Sequence, residues 1–168
     1  MKTLKNLAGI SFLAIIFFMG GIDNSYIKTN SVYAAESGQI PGLFDPNPDI
    51  KANGSDGPVT VDFNDPVSIT VSLNPGTAVG RNADWFLIAE LHFGPISKFF
   101  SIVSPNNIQF GIHPYWQFPL ILVPTTEVFN DSLPPGDYTL HFGVDDNANG
   151  NVDGTWTDSV DVLVRFLP

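Results

Sequence analysis

The sequence predicts an all-β fold, an antiparallel sandwich of about seven or eight strands, and three observations lead there. Beyond residue 57, short runs of β-branched and aromatic residues recur between clusters of Asn, Pro, Gly and Asp. Two of these runs alternate: Val67, Ile69, Val71 and Leu73 against Ser68, Thr70 and Ser72, and Val160, Val162 and Val164 against Ser159, Asp161 and Leu163. Successive side chains of a strand point to opposite faces, so this pattern puts one face in a core and the other in water. Finally, no stretch beyond residue 57 reads as a helix by its apolar spacing.

Taken in order, the chain opens with Lys2 and Lys5 ahead of an apolar run over 7–22, then a polar stretch reaching Val32-Tyr33-Ala34-Ala35. This predicts an export signal, 1–34, cut after Ala34. The apolar run is shorter than the ~20 residues that cross a bilayer, so no stable membrane insertion is expected after cleavage. The expected address is secreted or cell-surface, with the periplasm the other bacterial possibility. Residues 35–57, rich in Pro, Gly, Asn and Asp, read as a flexible or irregular lead-in, and 58–168 as the sandwich domain. Strands are expected at 59–63, 67–73, 84–92, 97–103, 108–113, 120–128, 138–144 and 159–165.

Composition excludes several classes. The chain has no cysteine, so disulfides, zinc-thiolate sites and a cysteine lipid anchor are ruled out. Its formal charge is −10, and cleavage would remove Lys2, Lys5 and Lys28 with Asp23, taking it to −12. Such a surface repels nucleic acid and anionic membranes. Asn53-Gly54-Ser55 and Asn130-Asp131-Ser132 match the glycosylation pattern but read as turns in a bacterial protein.

The richest motif is the run from Asp145 to Gly154. Asp145, Asn147 and Asn149 stand at first, third and fifth place, Gly150 at sixth, Asn151 with its carbonyl at seventh, and Asp153 at ninth. A calcium loop needs oxygens at this spacing and a glycine at its bend. Val152, in eighth place, would anchor the loop to a core, and Trp156 would shield the ion from water. The twelfth place, normally a bidentate Glu, is Trp156, and Asp158 is the available substitute carboxylate. The run resembles EF-hand and dockerin-type loops over about ten residues, without flanking helices. The expected cofactor is one structural Ca²⁺ held at the weak end, roughly 10⁻⁴ to 10⁻³ M. A plain acidic hairpin turn at Asn149-Gly150 and Asp153-Gly154 is the alternative.

Leu133-Pro134-Pro135-Gly136-Asp137-Tyr138 places a Tyr just after a Pro-Gly turn at the head of a late strand, which is how a tyrosine corner is built. Together with Asn53-Gly54-Ser55-Asp56, the run 67–73 closing on Asn74-Pro75-Gly76, Ala83-Asp84-Trp85-Phe86, Phe142-Gly143-Val144-Asp145 and Asp158-Ser159-Val160, it resembles an immunoglobulin-like or fibronectin type III-like domain recurrent in secreted bacterial proteins. The resemblance covers most of 50–166 and implies an accessory module with no catalytic activity.

The residues themselves give an enzyme little support. His92, His113 and His141 are the only histidines and read as structural, with no nucleophile elbow beside them. Glu90 and Glu127 are the carboxylates a glycosidase would pair, at ~5–10 Å across a cleft, and both are expected to face water. Alternation puts Glu90 on one face with Asp84, Phe86, Ile88 and His92, a mixed face, while Trp85 reads as the principal core tryptophan. No catalytic residue is assigned. Tyr115, Trp116 and Phe118 are candidate ligand-binding aromatics, since exposed rings stack on sugars, although Trp116 as a core cap is the competing reading. The sequence therefore predicts a non-catalytic structural or adhesive module whose partner is an extracellular protein or a polysaccharide, with a carbohydrate-binding module as the alternative.

Overall fold

A computed structural model describes residues 45–104, 107–153 and 155–166, so the expected export signal and its cleavage site lie outside the described residues. Ten strands follow in order: β1 (Asn47–Ala52), β2 (Val59–Asp62), β3 (Val67–Asn74), β4 (Asn82–Phe93), β5 (Ile96–Ser104), β6 (Asn107–Phe110), β7 (Trp116–Pro119), β8 (Val123–Asp131), β9 (Gly136–Asp145) and β10 (Thr155–Arg165). A single 3-10 turn, Gly76–Ala78, interrupts them among the described residues.

These strands form two sheets, one of three strands in the order β1-β3-β8 and one of seven in the order β2-β10-β9-β4-β5-β6, with β7 also on β4. All pairings are antiparallel except β2 with β10. The arrangement is a two-sheet, mostly antiparallel β-sandwich. Strand β4 is the spine of the larger sheet. Along one side it pairs with β9 from Asp84 to His92, while the other side is shared, its first part with β7 and its second with β5.

Alternation places the core as expected. Val67, Ile69, Val71 and Leu73 of β3 meet Trp85 and Leu87 of β4, Leu140, Phe142 and Val144 of β9, and Val160, Val162 and Val164 of β10. Trp85 is buried, and its indole N–H donates to the Phe118 carbonyl at 2.9 Å. The corner also forms: the Tyr138 hydroxyl donates to the Pro134 carbonyl at 2.9 Å, closing the β8–β9 turn onto the sheet. Gly136 fits closely there: a Cβ would lie 2.7 Å from the Leu91 side chain and 3.0 Å from the Tyr138 ring, so those side chains would have to shift.

Three details differ from the sequence reading. The lead-in expected over 35–57 contains β1, whose Pro48, Ile50 and Ala52 point into the core. Pro and Ala are weak strand formers, and Pro48 is tolerated because β1 lies at a sheet edge. Strand β7 was hidden inside a Pro-bounded aromatic segment, and β8 begins three residues later than the expected 120–128. The total among the described residues is ten strands, against the seven or eight expected.

Candidate functional site

The β9–β10 connection begins at Asp145, which is fully buried at the end of β9. One carboxylate oxygen accepts the Asn147 N–H at 3.2 Å and the other the Asp153 N–H at 2.6 Å. The pattern then repeats. Asn147 Oδ1 accepts the Asn149 N–H at 3.2 Å, and Asn149 Oδ1 accepts the Asn151 N–H at 2.7 Å. Each side-chain oxygen thus folds the chain two residues on, the turn that Asp and Asn favour. Gly150 sits at φ +82, in the left-handed region, with open space where a Cβ would be, so the demand for glycine is conformational. It occupies the sixth place, where calcium loops bend. The Asp153 carboxylate accepts the side-chain amides of Asn147 and Asn149, which hold its pKa below the usual carboxylate range.

The structure therefore gathers Asp145, Asn147, Asn149, Asn151 and Asp153 into one loop. Asp158 is elsewhere. Cross-strand pairing of Trp156 with Val144 and of Asp158 with Phe142 puts both on the core face of the sheet, opposite to Asp145. The Asp158 carboxylate instead accepts the Ile50 N–H at 2.9 Å, clasping β1 of one sheet to β10 of the other. Trp156 packs against the core, and Val152 is exposed, so neither shields nor anchors the loop as expected.

One residue that reasoning along the chain did not assign to the loop joins it. Asp84 of β4 lies opposite Asp145 across the β4–β9 ladder and opposite Gln117 across the β4–β7 ladder. It is fully buried, and its Oδ2 accepts the Gly150 N–H at 2.6 Å. Its Oδ1 is buried with no hydrogen-bond partner, the one such side-chain atom among the described residues. The signal in the sequence was faint: an Asp on the same strand face as Phe86 and Ile88, both of which are buried. Two neighbours hold the loop against β4 and β7. Gln117 donates its side-chain amide to the Ala148 carbonyl at 3.1 Å, and Arg81 pairs with Asp146.

The oxygen donors of this site are carboxylates and amides, a set that suits a hard cation rather than zinc or copper. No group of three His, Cys, Asp or Glu side chains that could hold a metal occurs among the described residues. The acidic pair is Asp84 with Asp145, and the neutral oxygens must come from Asn147, Asn149 and the backbone.

A second polar cluster lies farther along the same sheet face. His92 bonds Ser97 Oγ at 3.0 Å through Nδ1 and Thr139 Oγ1 at 2.9 Å through Nε2, and Thr139 donates to Asp161 at 2.8 Å. His141 Nε2 lies 3.2 Å from a Glu90 oxygen. Glu127 is on β8 of the other sheet, accepting from Ser68 and Asn130, so Glu90 and Glu127 do not flank a common cleft. His113 is held by Ser101 and the Phe110 carbonyl.

The three candidate aromatics are half-buried against the core. Trp116 and Phe118 stack on each other at 4.7 Å and 17°, and Tyr115 meets Trp116 edge-on at 6.4 Å. All three keep part of their surface exposed.

No protein-family model and no curated protein matches the chain. What the molecule itself defines is an all-β sandwich carrying an acidic loop closed on a buried carboxylate pair.

Proposed function

We propose that the protein is a secreted, non-catalytic structural or adhesive sandwich module, working at the cell surface or in extracellular material, whose β9–β10 loop is stabilised by Ca²⁺. The observation that carries this reading is the loop itself: Asp145, Asn147 and Asn149 turn in succession around Gly150 at the end of a rigid sheet. Calcium of the affinity expected, roughly 10⁻⁴ to 10⁻³ M, is characteristic of extracellular modules. With a dissociation constant of about 0.1 mM and about 1 mM free ion, mass action adds roughly 1.4 kcal/mol of stability.

Thermal melts of the exported protein, with calcium and with chelator, test the ion, and intact mass of that material tests the export signal. Calcium should raise the melting temperature by about 3–8 °C. A melt indifferent to millimolar calcium, with no heat on titration, would return the loop to an acidic hairpin turn. Recovery of a chain that begins at Met1 in the cytosol would remove the secreted reading.

A further inference from the structure

We infer that Asp84 is a direct ligand of this cation, so that the site is built across β4, β9 and the β9–β10 loop rather than within one continuous loop. The inference rests on the calcium reading above and goes beyond it, because a self-contained loop would leave Asp84 Oδ1 without a partner.

The first argument is the orphan oxygen. Asp84 is fully buried, its Oδ2 is engaged by the Gly150 N–H at 2.6 Å, and its Oδ1 has no partner. A buried carboxylate oxygen without a donor is costly, and folded proteins rarely leave one so. The bond to Gly150 also fixes where the carboxylate points, into the bend of the acidic loop.

The second argument is charge. Asp84 and Asp145 are directly opposite in adjacent antiparallel strands, with Cα atoms expected about 4.5–5.5 Å apart. Both side chains are fully buried, and the basic group nearest in the chain, Arg81, is engaged with Asp146. Two ionised carboxylates at that separation repel strongly in a poorly solvated site, and a divalent cation between them reverses the sign of the interaction.

The third argument is a missing ligand. A loop of this type draws its bidentate carboxylate from the twelfth place, which here is Trp156, facing the core. Asp158 is on the wrong face and bound to Ile50. Asp84 supplies the absent carboxylate from the neighbouring strand. A shell of two carboxylates, amide oxygens and backbone carbonyls fixed by strands and turns is irregular, which calcium accepts and magnesium, needing a near-ideal octahedron, does not.

Calorimetric titration of CaCl₂ into the exported protein tests this, comparing wild type with Asp84→Asn and Asp158→Asn and repeating the wild type with MgCl₂. Asp84→Asn keeps the size of the side chain and an acceptor for Gly150. Wild type should bind one Ca²⁺ per chain, Asp84→Asn at least tenfold more weakly, Asp158→Asn as wild type does, and Mg²⁺ more weakly than Ca²⁺. Wild-type binding with an Asp84→Asn affinity within twofold overturns the inference and leaves the loop reading standing. Absence of wild-type binding overturns both. An Asp84→Asn protein that melts higher than wild type, with neither responding to calcium, likewise overturns both and leaves Asp84 and Asp145 as a purely structural pair. Should that variant fail to fold, ¹³C-aspartate labelling of the wild type gives the same decision: the carboxyl resonances of Asp84 and Asp145 should both move on adding CaCl₂, and an Asp84 signal that stays in place overturns the inference.

Discussion

Two polar clusters lie on one face of the same sheet, both built on β4 and β9, and they differ in whether their atoms are satisfied. At one end, both His92 ring nitrogens have hydroxyl partners, His141 reaches Glu90, and the Thr139 hydroxyl donates a hydrogen bond to Asp161. Nothing there calls for a further component. At the other end, Asp84 and Asp145 are equally well held by strand pairing, yet Asp84 Oδ1 has no partner. Density of polar residues is therefore a poor guide to a site. The useful distinction is between a network that closes on itself and one that lacks a member.

The sharpest way to break this comparison is Asp145→Ala. The change deletes the acceptor of two backbone N–H groups, and hydrogen bonds to a charged group contribute roughly 1.5–3 kcal/mol each. We expect a loss of about 3 kcal/mol in denaturant unfolding with calcium present. In chelator the loss should be smaller, because the substitution also relieves repulsion from Asp84. Equal losses in the two buffers would place the loop with the self-satisfied cluster.

Next comes the aromatic cluster beside the loop. Trp116→Ala should cost about 2–3 kcal/mol, below the range for a fully buried Trp because the ring is half-buried. It should also weaken the calcium response, since β7 carries Gln117 to the loop. Retention of wild type on a polysaccharide column, lost in Trp116→Ala at unchanged stability, would instead assign Tyr115, Trp116 and Phe118 to sugar binding.

Smaller again is Tyr138→Phe, at the satisfied end of β9, which removes one hydrogen bond to the Pro134 carbonyl. About 1–2 kcal/mol should be lost, equally with and without calcium. An unchanged unfolding midpoint would show that the corner bond adds nothing to packing.

Much of this was legible along the chain because it is local. The alternation in β3 and β10, the Pro-Gly turn feeding Tyr138, and the spacing from Asp145 to Asp153 all act over a few residues. What escaped depends on pairing between distant segments. Asp84 and Gly150 are 66 positions apart, and only the β4–β9 register brings them together. Asp158 was misplaced for the same reason: proximity in sequence suggested a ligand, but strand periodicity sends its side chain through the sheet to Ile50. Strand β1 escaped because its pattern over Pro48, Ile50 and Ala52 is too short, and too poor in β-formers, to stand out.

The smallest expected effect separates the two clusters by acid. In the satisfied cluster, a hydrogen bond from Ser97, with His141 and the nearby His92, holds the Glu90 pKa below its ordinary 4.5. In the loop, Asn147 and Asn149 hold Asp153 below its ordinary 3.8. A carboxylate whose folded pKa is depressed contributes stability that is complete above its unfolded value and disappears as pH falls through the folded one. Both groups therefore steepen the loss of stability below about pH 4. Glu90→Gln should cost about 0.5 kcal/mol at pH 7, as for a partly exposed pair, and nothing once the wild-type carboxylate is protonated. That part of the acid limb should be the same in chelator and in calcium. The part due to the loop should move to lower pH as calcium rises, because protons and the cation compete for the same oxygens. Acid unfolding of wild type and Glu90→Gln across a calcium series measures both, and a Glu90→Gln difference that itself shifts with calcium would mean that the two clusters act as one.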